Sequence, residues 1–394
     1  MADPDAIVVG AGPAGLACAA MLGRKGLAAL VVEKTDRVAS SWRLHYDRLH
    51  LHTDRRHSGL PGLTMPGHYP TYPSRDEVVA YLERYAAHFG IRPRFDTAVT
   101  SLTHDGATWC AHTDRGTMRA PVAVVATGMA AVPVRPSWPG EDAFEGRIVH
   151  SSGYRNPTPY LGQRVLVVGF GNSGAEIALD LAEAGVAVAL SIRGPVHVLP
   201  RDLLGLPIIA WAILYGRLPA RLVDAINAPV LRLAVGRIEA LGLRRAAGGP
   251  RRAVEETGRV PVFDIGTLGR IRDGSIAVHA GLDRLTPHGA VFRDGAQAPF
   301  GALILATGYR SDLRPLLQAV EGVLDGVGRP LATGRTTRAP GLYFCGHLTS
   351  PTGQLRAIRL EAERIATLAR RHVTALNARR LRAAGDQMPR MPAS

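Results

Sequence analysis

The chain has 394 residues, 46% of them hydrophobic, so it is long enough to bury the cores of two or three domains. Its formal charge is +14, and of its 47 basic residues all but Lys25 and Lys34 are arginines. No dense basic run with interleaved aromatic residues occurs, which argues against nucleic-acid binding. The positive charge suits the binding of anionic cofactors. Three cysteines without a C-x-x-C pair argue against a disulfide framework and predict a reducing, cytoplasmic location.

The first motif follows the apolar run Ala6–Val9 and places glycines at positions 10, 12 and 15. In such a motif the first glycine permits a tight turn, the second lets the backbone approach a pyrophosphate, and the third lets a helix pack on a strand. The next apolar run ends on Glu33, at the distance where an acid accepts hydrogen bonds from a ribose. This predicts a site for an adenosine with a free 2′-hydroxyl, such as that of FAD.

A second motif of the same kind contains Gly169, Gly171 and Gly174 and also follows an apolar run. Arg193 ends the next predicted strand, at the position that Glu33 holds after the first motif. A carboxylate there would repel a 2′-phosphate, whereas a guanidinium would bind it through two hydrogen bonds. The second motif therefore predicts an NADPH site.

The sequence Ala-Thr-Gly occurs at 126–128 and again at 306–308, each time after an apolar strand. Each copy indicates a strand end where the backbone passes a nucleotide and where the chain can leave one domain for another. We therefore predict an α/β fold with two Rossmann-like dinucleotide-binding domains, the NADPH domain being inserted into the FAD domain. The predicted parts are an FAD domain at 1–157, an NADPH domain at 158–307 with a helical insertion at 203–243, and the rest of the FAD domain with a C-terminal tail at 308–394.

Residues 36–75 are rich in Pro, Gly and His and are predicted to form loops that cover the flavin ring. Ser74 and Glu77 form a capping box that predicts a helix start. No Cys or carboxylate stands at metal-ligand spacing from the histidines of this region, so no metal site is predicted.

The insertion begins with the apolar run 203–215, which is too short to span a bilayer and contains Gly205 and Pro207. We interpret it as helices that roof a substrate channel. Peripheral contact with a membrane is the alternative.

The two glycine motifs flank Phe144-x-Gly146-x-x-x-His150-x-x-x-Tyr154, and this arrangement resembles the flavin-containing monooxygenases. The stretches 46–52, 69–75, 196–200 and 260–271 resemble the YUCCA-type members, which convert indole-3-pyruvate to indole-3-acetate. The resemblance implies FAD, NADPH, O2, a flavin C4a-(hydro)peroxide as the oxygenating species, and oxidative decarboxylation of a small 2-oxo acid. Two departures are Thr71, where amine- and sulfide-oxidising members have asparagine, and Ser40-Ser41, where many members have two glycines.

We assign Asn172, His150 and Thr71 to the catalytic region, with His150 and Tyr154 at the domain junction. Arginines 43, 48 and 75 are candidates for holding a substrate carboxylate. The predicted cofactor-binding residues are Gly10, Gly12, Pro13, Ala14, Gly15, Glu33, Lys34, Trp42, Arg43, His50, Val99, Thr127, Gly128, Gly169, Phe170, Gly171, Asn172, Ser173, Gly174, Ser191, Arg193, Gly308, Gly346 and Gln354.

Other functions stay open at this point. The same fold could carry out N- or S-oxygenation or Baeyer–Villiger oxidation. It could also be a flavin reductase that inserts no oxygen, or a nucleotide sensor. A disulfide oxidoreductase would need a redox-active cysteine pair, which the sequence does not offer.

Overall fold

The computed structural model describes residues 3–130, 132–318 and 320–386, the side chains of 383–386 excepted. The helices of this part are α1 (Pro13–Arg24), α2 (Ser40–Arg43), α3 (Arg75–His88), α4 (Asn172–Glu183), α5 (Ile208–Leu214), α6 (Ala220–Val235), α7 (Pro250–Thr257), α8 (Thr267–Arg272) and α9 (Gln354–Asp386). The strands are β1 (Ala6–Val9), β2 (Ala29–Val32), β3 (Val99–His104), β4 (Trp109–Thr113), β5 (Gly116–Ala120), β6 (Val122–Val125), β7 (Val132–Pro133), β8 (Arg147–His150), β9 (Arg164–Val168), β10 (Ala187–Ile192), β11 (Val198–Pro200), β12 (Asp202–Leu203), β13 (Leu206–Pro207), β14 (Val262–Asp264), β15 (Ile276–Ala280), β16 (Leu282–Thr286), β17 (Gly289–Phe292), β18 (Gln297–Pro299), β19 (Ala302–Leu305), β20 (Tyr309–Arg310) and β21 (Leu342–Phe344).

The first parallel sheet has the order β2-β1-β6-β21 within the described residues. Strands β1 and β6 are buried along their whole length, as expected for apolar runs in a parallel sheet covered on both faces. Helices α1 and α9 pack against each other on this sheet. The antiparallel sheet β3-β4-β5 packs on the other face through the buried ring of Trp109.

The second parallel sheet has the order β15-β10-β9-β19-β8. Helices α4 and α8 pack on one face, and the antiparallel sheet β16-β17-β18 packs on the other. Strand β8 pairs with β19, from Arg147 with Ala302 to His150 with Leu305. Residues 147–150 therefore belong to the second sheet, although the predicted boundary after residue 157 would assign them to the first domain. Their partner strand is distant in sequence, and no local sequence pattern predicts the pairing.

The chain crosses between the two sheets along a short antiparallel pair. Strand β7 carries the chain out and β20 carries it back, with Tyr309 paired to Pro133 and Arg310 to Val132. The backbone N–H of Val134 donates to the carbonyl of Gly308 at 2.9 Å. The crossing thus lies directly after the two Ala-Thr-Gly sequences.

The capping box at the start of α3 is confirmed. The Ser74 hydroxyl accepts from the Glu77 N–H, and the Glu77 carboxylate accepts from the Ser74 N–H at 2.7 Å. In the C-terminal part of the chain, helix α9 continues to Asp386. Residues 387–394 of the predicted tail lie outside the described residues.

The insertion at 203–243 contains the hairpin β12-β13, helices α5 and α6, and a short 3-10 turn at Ile238–Leu241. Helix α6 buries Val223, Leu231 and Val235, and Val235 packs in the core on one face of the second sheet. None of the described helices has the length and apolar character needed to cross a membrane.

Candidate active site

A cavity of about 800 Å³ begins at the first glycine turn and extends to the helices of the insertion. It is bordered by parts of both dinucleotide-binding units, because Asn172 of the second turn also lines it. The predicted cofactor residues that line it are Gly10, Gly12, Pro13, Ala14, Glu33, Lys34, Trp42, Val99, Thr127, Gly128, Asn172, Gly346 and Gln354.

Two glycines of the first turn are packed against the backbone, and the third has open space beside it. A Cβ at Gly10, whose φ is +108°, would stand 2.7 Å from the Ala126 carbonyl oxygen, and a Cβ at Gly15 would stand 1.8 Å from the Gly10 oxygen. A Cβ at Gly12 would meet no atom within 4 Å. Gly10 and Gly15 are therefore required by the fold, whereas the space beside Gly12 is open to a ligand.

The Glu33 carboxylate is fixed at the end of β2. One oxygen accepts from the Ala11 N–H at 2.8 Å, and the other accepts from the Thr35 N–H at 3.1 Å and hydroxyl at 2.9 Å. The side chain is buried and still borders the cavity. These bonds hold its orientation before any ligand arrives.

The second turn repeats the arrangement of the first. A Cβ at Gly169 would lie 2.5 Å from the Ala306 oxygen, a Cβ at Gly174 would lie 2.2 Å from the Gly169 oxygen, and a Cβ at Gly171 would meet nothing within 4 Å. Gly171 precedes the first turn of α4, whose backbone N–H groups and positive dipole suit a phosphate. Phe170 is buried in the core on this side of the sheet, and Ser173 lies in the first turn of α4.

Asn172 holds the segment that covers the second turn. Its Nδ2 donates to the Pro261 carbonyl at 3.1 Å, and its Oδ1 accepts from the Phe263 N–H at 2.8 Å. Nδ2 carries two hydrogens, and this contact uses one of them. The amide is thus oriented by the protein and keeps one hydrogen for a partner in the cavity.

Arg193 follows β10 and is exposed, whereas Ser191 is enclosed in the sheet. The Ser191 hydroxyl donates to the Ala280 carbonyl at 3.0 Å, so its side chain supports the strand rather than reaching a nucleotide. The Arg244 guanidinium donates to the Arg193 carbonyl at 2.9 Å, which places a second arginine side chain against the Arg193 backbone. The sequence did not indicate Arg244, because it arrives from the end of the insertion.

Three of the site residues predicted in the region 36–75 do not line the cavity. Thr71 is exposed, and its carbonyl accepts from the Arg55 N–H at 2.8 Å. Arg43 pairs with Glu83 on the surface, and the His50 ring is 2.6 Å from the Arg48 carbonyl. The loop over the cavity contributes His45, Leu51, His52 and Thr53 instead. The sequence did not predict which of the neighbouring side chains in this loop point into the cavity.

His150 links the two chain crossings and does not line the cavity. Its Nδ1 accepts from the Ser152 N–H at 3.1 Å, so Nε2 carries the hydrogen and donates to the Gly308 carbonyl at 3.1 Å. Burial lowers the pKa of His150. His150 thus lies beside Gly308 and Tyr309 at the crossing between the two sheets, and its assignment to the catalytic region stays a prediction.

Behind the cavity wall lies a buried polar cluster that the sequence did not reveal. The Glu176 carboxyl on α4 is 1% exposed, accepts from the Tyr46 hydroxyl at 3.0 Å, and approaches His52 Nε2 to 3.1 Å. The His52 ring lines the cavity and stacks on Phe263 with 5.4 Å between ring centres. Burial raises the pKa of Glu176 to about 8 and lowers that of His52 to about 4. At neutral pH both groups are therefore mainly uncharged.

The three cysteines are buried and unbridged. The neighbouring Cys18 thiol and burial raise the pKa of Cys345 well above the usual thiol value. A reactive thiolate is thus absent from the described residues that line the cavity, which disfavours disulfide chemistry. Two glycine turns that meet at one cavity define instead an oxidoreductase with two dinucleotide sites.

Comparison with known proteins shows to which family of oxidoreductases the chain belongs. The profile of the pyridine nucleotide-disulphide oxidoreductases matches residues 7–200. The chain is 44% identical over 315 residues to an indole-3-pyruvate monooxygenase, YUCCA1 of Oryza sativa subsp. japonica, which covers 79% of this chain and 78% of that protein. The chain therefore belongs to the YUCCA family of flavin-dependent monooxygenases.

Solved structures show the same fold at lower identity. A variant of a flavin monooxygenase from Stenotrophomonas maltophilia is 24% identical with a TM-score of 0.71, covering 95% of this chain and 99% of that one. A steroid monooxygenase solved with NADP is 21% identical with a TM-score of 0.73, covering 96% of this chain and 86% of that one. These likenesses show that the chain has the fold of these monooxygenases.

Proposed function

We propose that this monooxygenase binds FAD at the first glycine turn and NADPH at the second, and that it oxidatively decarboxylates an aryl-substituted 2-oxo acid. The observation that carries the proposal is the cavity that runs from the first turn, past Asn172 of the second turn, to an apolar, aromatic end under the insertion. The balanced reaction is R-CO-COOH + O2 + NADPH + H+ → R-COOH + CO2 + NADP+ + H2O.

The first half of the cavity fits FAD. The open space beside Gly12 and the N-terminus of α1 suit a pyrophosphate, and the fixed Glu33 carboxylate suits a ribose. At the other end, Gln354 begins α9, and its buried Nε2 has no partner among the described residues. Such a donor suits a flavin carbonyl oxygen. The bound flavin, reduced by NADPH, supplies the activation of O2.

The second turn fits NADPH. Gly171 leaves space for a pyrophosphate, and Arg193 with Arg244 offers two guanidinium groups for a 2′-phosphate. Neither arginine has a carboxylate within salt-bridge distance among the described residues. This favours NADPH over NADH.

The far end of the cavity fits an aryl group and a carboxylate. Trp211 and Tyr215 stack on each other at 6.1 Å, and Ile208, Ile209 and Leu231 complete an apolar wall. These groups exclude water from the reacting atoms. The role of binding the carboxylate moves from Arg43, Arg48 and Arg75 to another arginine, because none of those three lines the cavity.

Arg251 is the arginine that lines the cavity within the described residues. Its side chain is 14% exposed, and its guanidinium donates to the Tyr215 carbonyl at 2.7 Å and to Glu255 at 2.9 Å. It therefore stands beside the aromatic pair with a fixed orientation. We assign it to the substrate carboxylate.

The test supplies the purified holoenzyme with NADPH, O2 and indole-3-pyruvate or phenylpyruvate. Formation of the acid shortened by one carbon, at an unchanged rate with catalase, supports the proposal. Product that disappears with catalase, while NADPH is still consumed, identifies a reductase that releases H2O2. Efficient oxygenation of a sulfide or amine instead would identify a heteroatom oxygenase.

We place the enzyme in the cytoplasm because its three cysteines are free.

A further inference from the structure

The insertion exposes an unusual amount of apolar surface. Half of the large hydrophobic side chains that are exposed in the described part of the chain fall within residues 204–233. Contiguous apolar surface on a folded protein commonly marks an interaction site. These residues are Leu204, Leu206, Leu214, Leu218, Leu222, Ile226, Val230 and Leu233.

Helix α6 is apolar on its outer side as well as its inner side. Its inner face buries Val223, Leu231 and Val235. On the opposite side, Leu222, Ile226, Pro229 and Leu233 follow one another at spacings of four, three and four residues, so they form one row along the helix. The exposed fractions of the three aliphatic members are 48%, 48% and 87%. We call this row, together with Val230, the outer face of α6.

The exposed charged side chains of helix α6 itself are both arginines. Arg221 and Arg232 lie on the same flank of the row, and Arg217 and Arg237 lie just before and just after the helix. All four are exposed. The acid of this helix, Asp224, is turned inward, where its carboxylate accepts from two backbone N–H groups at the start of α7, at 3.1 and 3.0 Å.

The apolar row and the flanking arginines together decide whether a second copy of the chain or a lipid surface covers this face. A second copy of the chain would cover the apolar row, but it would bring the arginines of both copies together without acidic partners from this helix. An anionic lipid surface would take up the apolar row and attract the arginines at the same time.

We propose that the outer face of α6 binds the surface of a membrane that contains anionic lipid, with the helix lying along the interface. The apolar row enters the boundary between headgroups and acyl chains, and the arginines lie at the level of the lipid phosphates. The inner face of the same helix contributes Val223, Asn227 and Leu231 to the cavity wall. The roof of the cavity is therefore also the lipid-binding element.

The experiment is a vesicle co-sedimentation assay on the full-length holoenzyme. Vesicles of equal parts phosphatidylglycerol and phosphatidylcholine should bind the protein, and pure phosphatidylcholine should bind it much more weakly. Raising the salt concentration should reduce binding to the mixed vesicles, since the arginine contribution is screened. A triple variant Leu222→Ser, Ile226→Ser and Leu233→Ser should bind at least about tenfold more weakly.

Two further variants separate the contributions. Arg221→Gln with Arg232→Gln should lower binding to mixed vesicles about fivefold for each arginine and leave binding to neutral vesicles unchanged. The matched control is Leu161→Ser with Leu331→Ser, which removes two exposed leucines outside the insertion and should bind like the wild type. All substituted side chains are exposed, so flavin content and circular dichroism should be unchanged.

Three outcomes overturn the proposal. The first is wild-type protein that does not bind the mixed vesicles. The second is an α6 variant that binds as well as the leucine control. The third is a dimer in sedimentation velocity that the α6 triple variant dissociates, because a second copy then covers the face.

Discussion

Glu176 Oε1 and His52 Nε2 lie 3.1 Å apart and join helix α4 of the second unit to the loop that covers the cavity. Glu176 is buried, and burial raises its pKa to about 8 in spite of the opposing charges of Arg48 and Arg201. At neutral pH the Glu176 carboxyl group is therefore mainly protonated, and burial keeps the His52 ring mainly neutral. Because His52 lines the cavity, the pair fixes one ring of its wall from behind.

This pair predicts a pH dependence of stability. The folded pKa of Glu176 is above its ordinary value of 4.5, so between about pH 4.5 and about pH 8 the folded state keeps a proton that the unfolded state releases. Its contribution to the unfolding free energy is complete below about pH 4.5 and is lost as the pH rises through about 8. Relative to Glu176→Gln, the wild type should lose up to about 1.4 kcal/mol for each pH unit in this window.

Urea unfolding of both proteins at several pH values measures the difference. Glu363→Gln is the control, because Glu363 is exposed on α9 and its replacement should leave the pH profile unchanged. Parallel profiles for the wild type and Glu176→Gln would show that Glu176 is ionised in the folded protein.

The glycine turns predict a contrast between two valine variants. Gly12→Val places its side chain in open space beside the cavity, so the protein should fold but lose FAD affinity by more than about tenfold. Gly15→Val would place a Cβ 1.8 Å from the Gly10 oxygen and should give little folded protein. The flavin-to-protein absorbance ratio and circular dichroism separate the two effects. Full flavin occupancy in Gly12→Val would place the pyrophosphate elsewhere.

The glycine turns and the α3 capping box could be predicted because each has a short, fixed spacing that backbone geometry demands. Gly10 and Gly15 serve the strand-helix turn whatever the rest of the chain does. The loop residues could not be placed in this way. His50 directly precedes the cavity-lining Leu51 and His52, and which of these side chains reaches the cavity depends on how the loop folds.

Contacts between distant segments were also beyond the sequence patterns. Strand β8 joins the second sheet because β19 presents a free edge, and β19 comes more than a hundred residues later. Glu176 occupies a helix position that would ordinarily be apolar, and only the arrival of Tyr46 and His52 explains its burial. Neither partner can be recognised from a single sequence.

Cofactor preference depends on the two arginines beside β10. Arg193→Ala should reduce the preference for NADPH over NADH by about tenfold to a hundredfold, because a charge-assisted hydrogen bond to a phosphate contributes about 1.5–3 kcal/mol. Arg244→Ala should give a smaller loss in the same direction, since Arg244 also donates to the Arg193 carbonyl. Flavin content should not change in either variant.

Stopped-flow reduction of the flavin by each nucleotide measures that preference. Arg201→Ala is the matched control, because its guanidinium lies over the Tyr72 ring at 4.0 Å. An unchanged preference in the Arg193→Ala, Arg244→Ala double variant would rule out this phosphate site.

The last prediction concerns substrate binding at the aromatic end of the cavity. Arg251→Gln removes the cation that we assign to the substrate carboxylate, so the KM for phenylpyruvate should rise by about tenfold or more while kcat changes less. Arg252→Gln is the matched control. Arg252 is the next residue along the chain, and its side chain pairs with Glu256 at 2.7 Å on the surface and does not line the cavity. Arg251 also donates to the carbonyls of Tyr215 and Gly216, so the variant needs a check for a disturbed roof. Reduction of the flavin by NADPH without substrate provides that check and should stay at the wild-type rate. An unchanged KM in Arg251→Gln, with the roof intact, would show that the carboxylate binds elsewhere in the cavity.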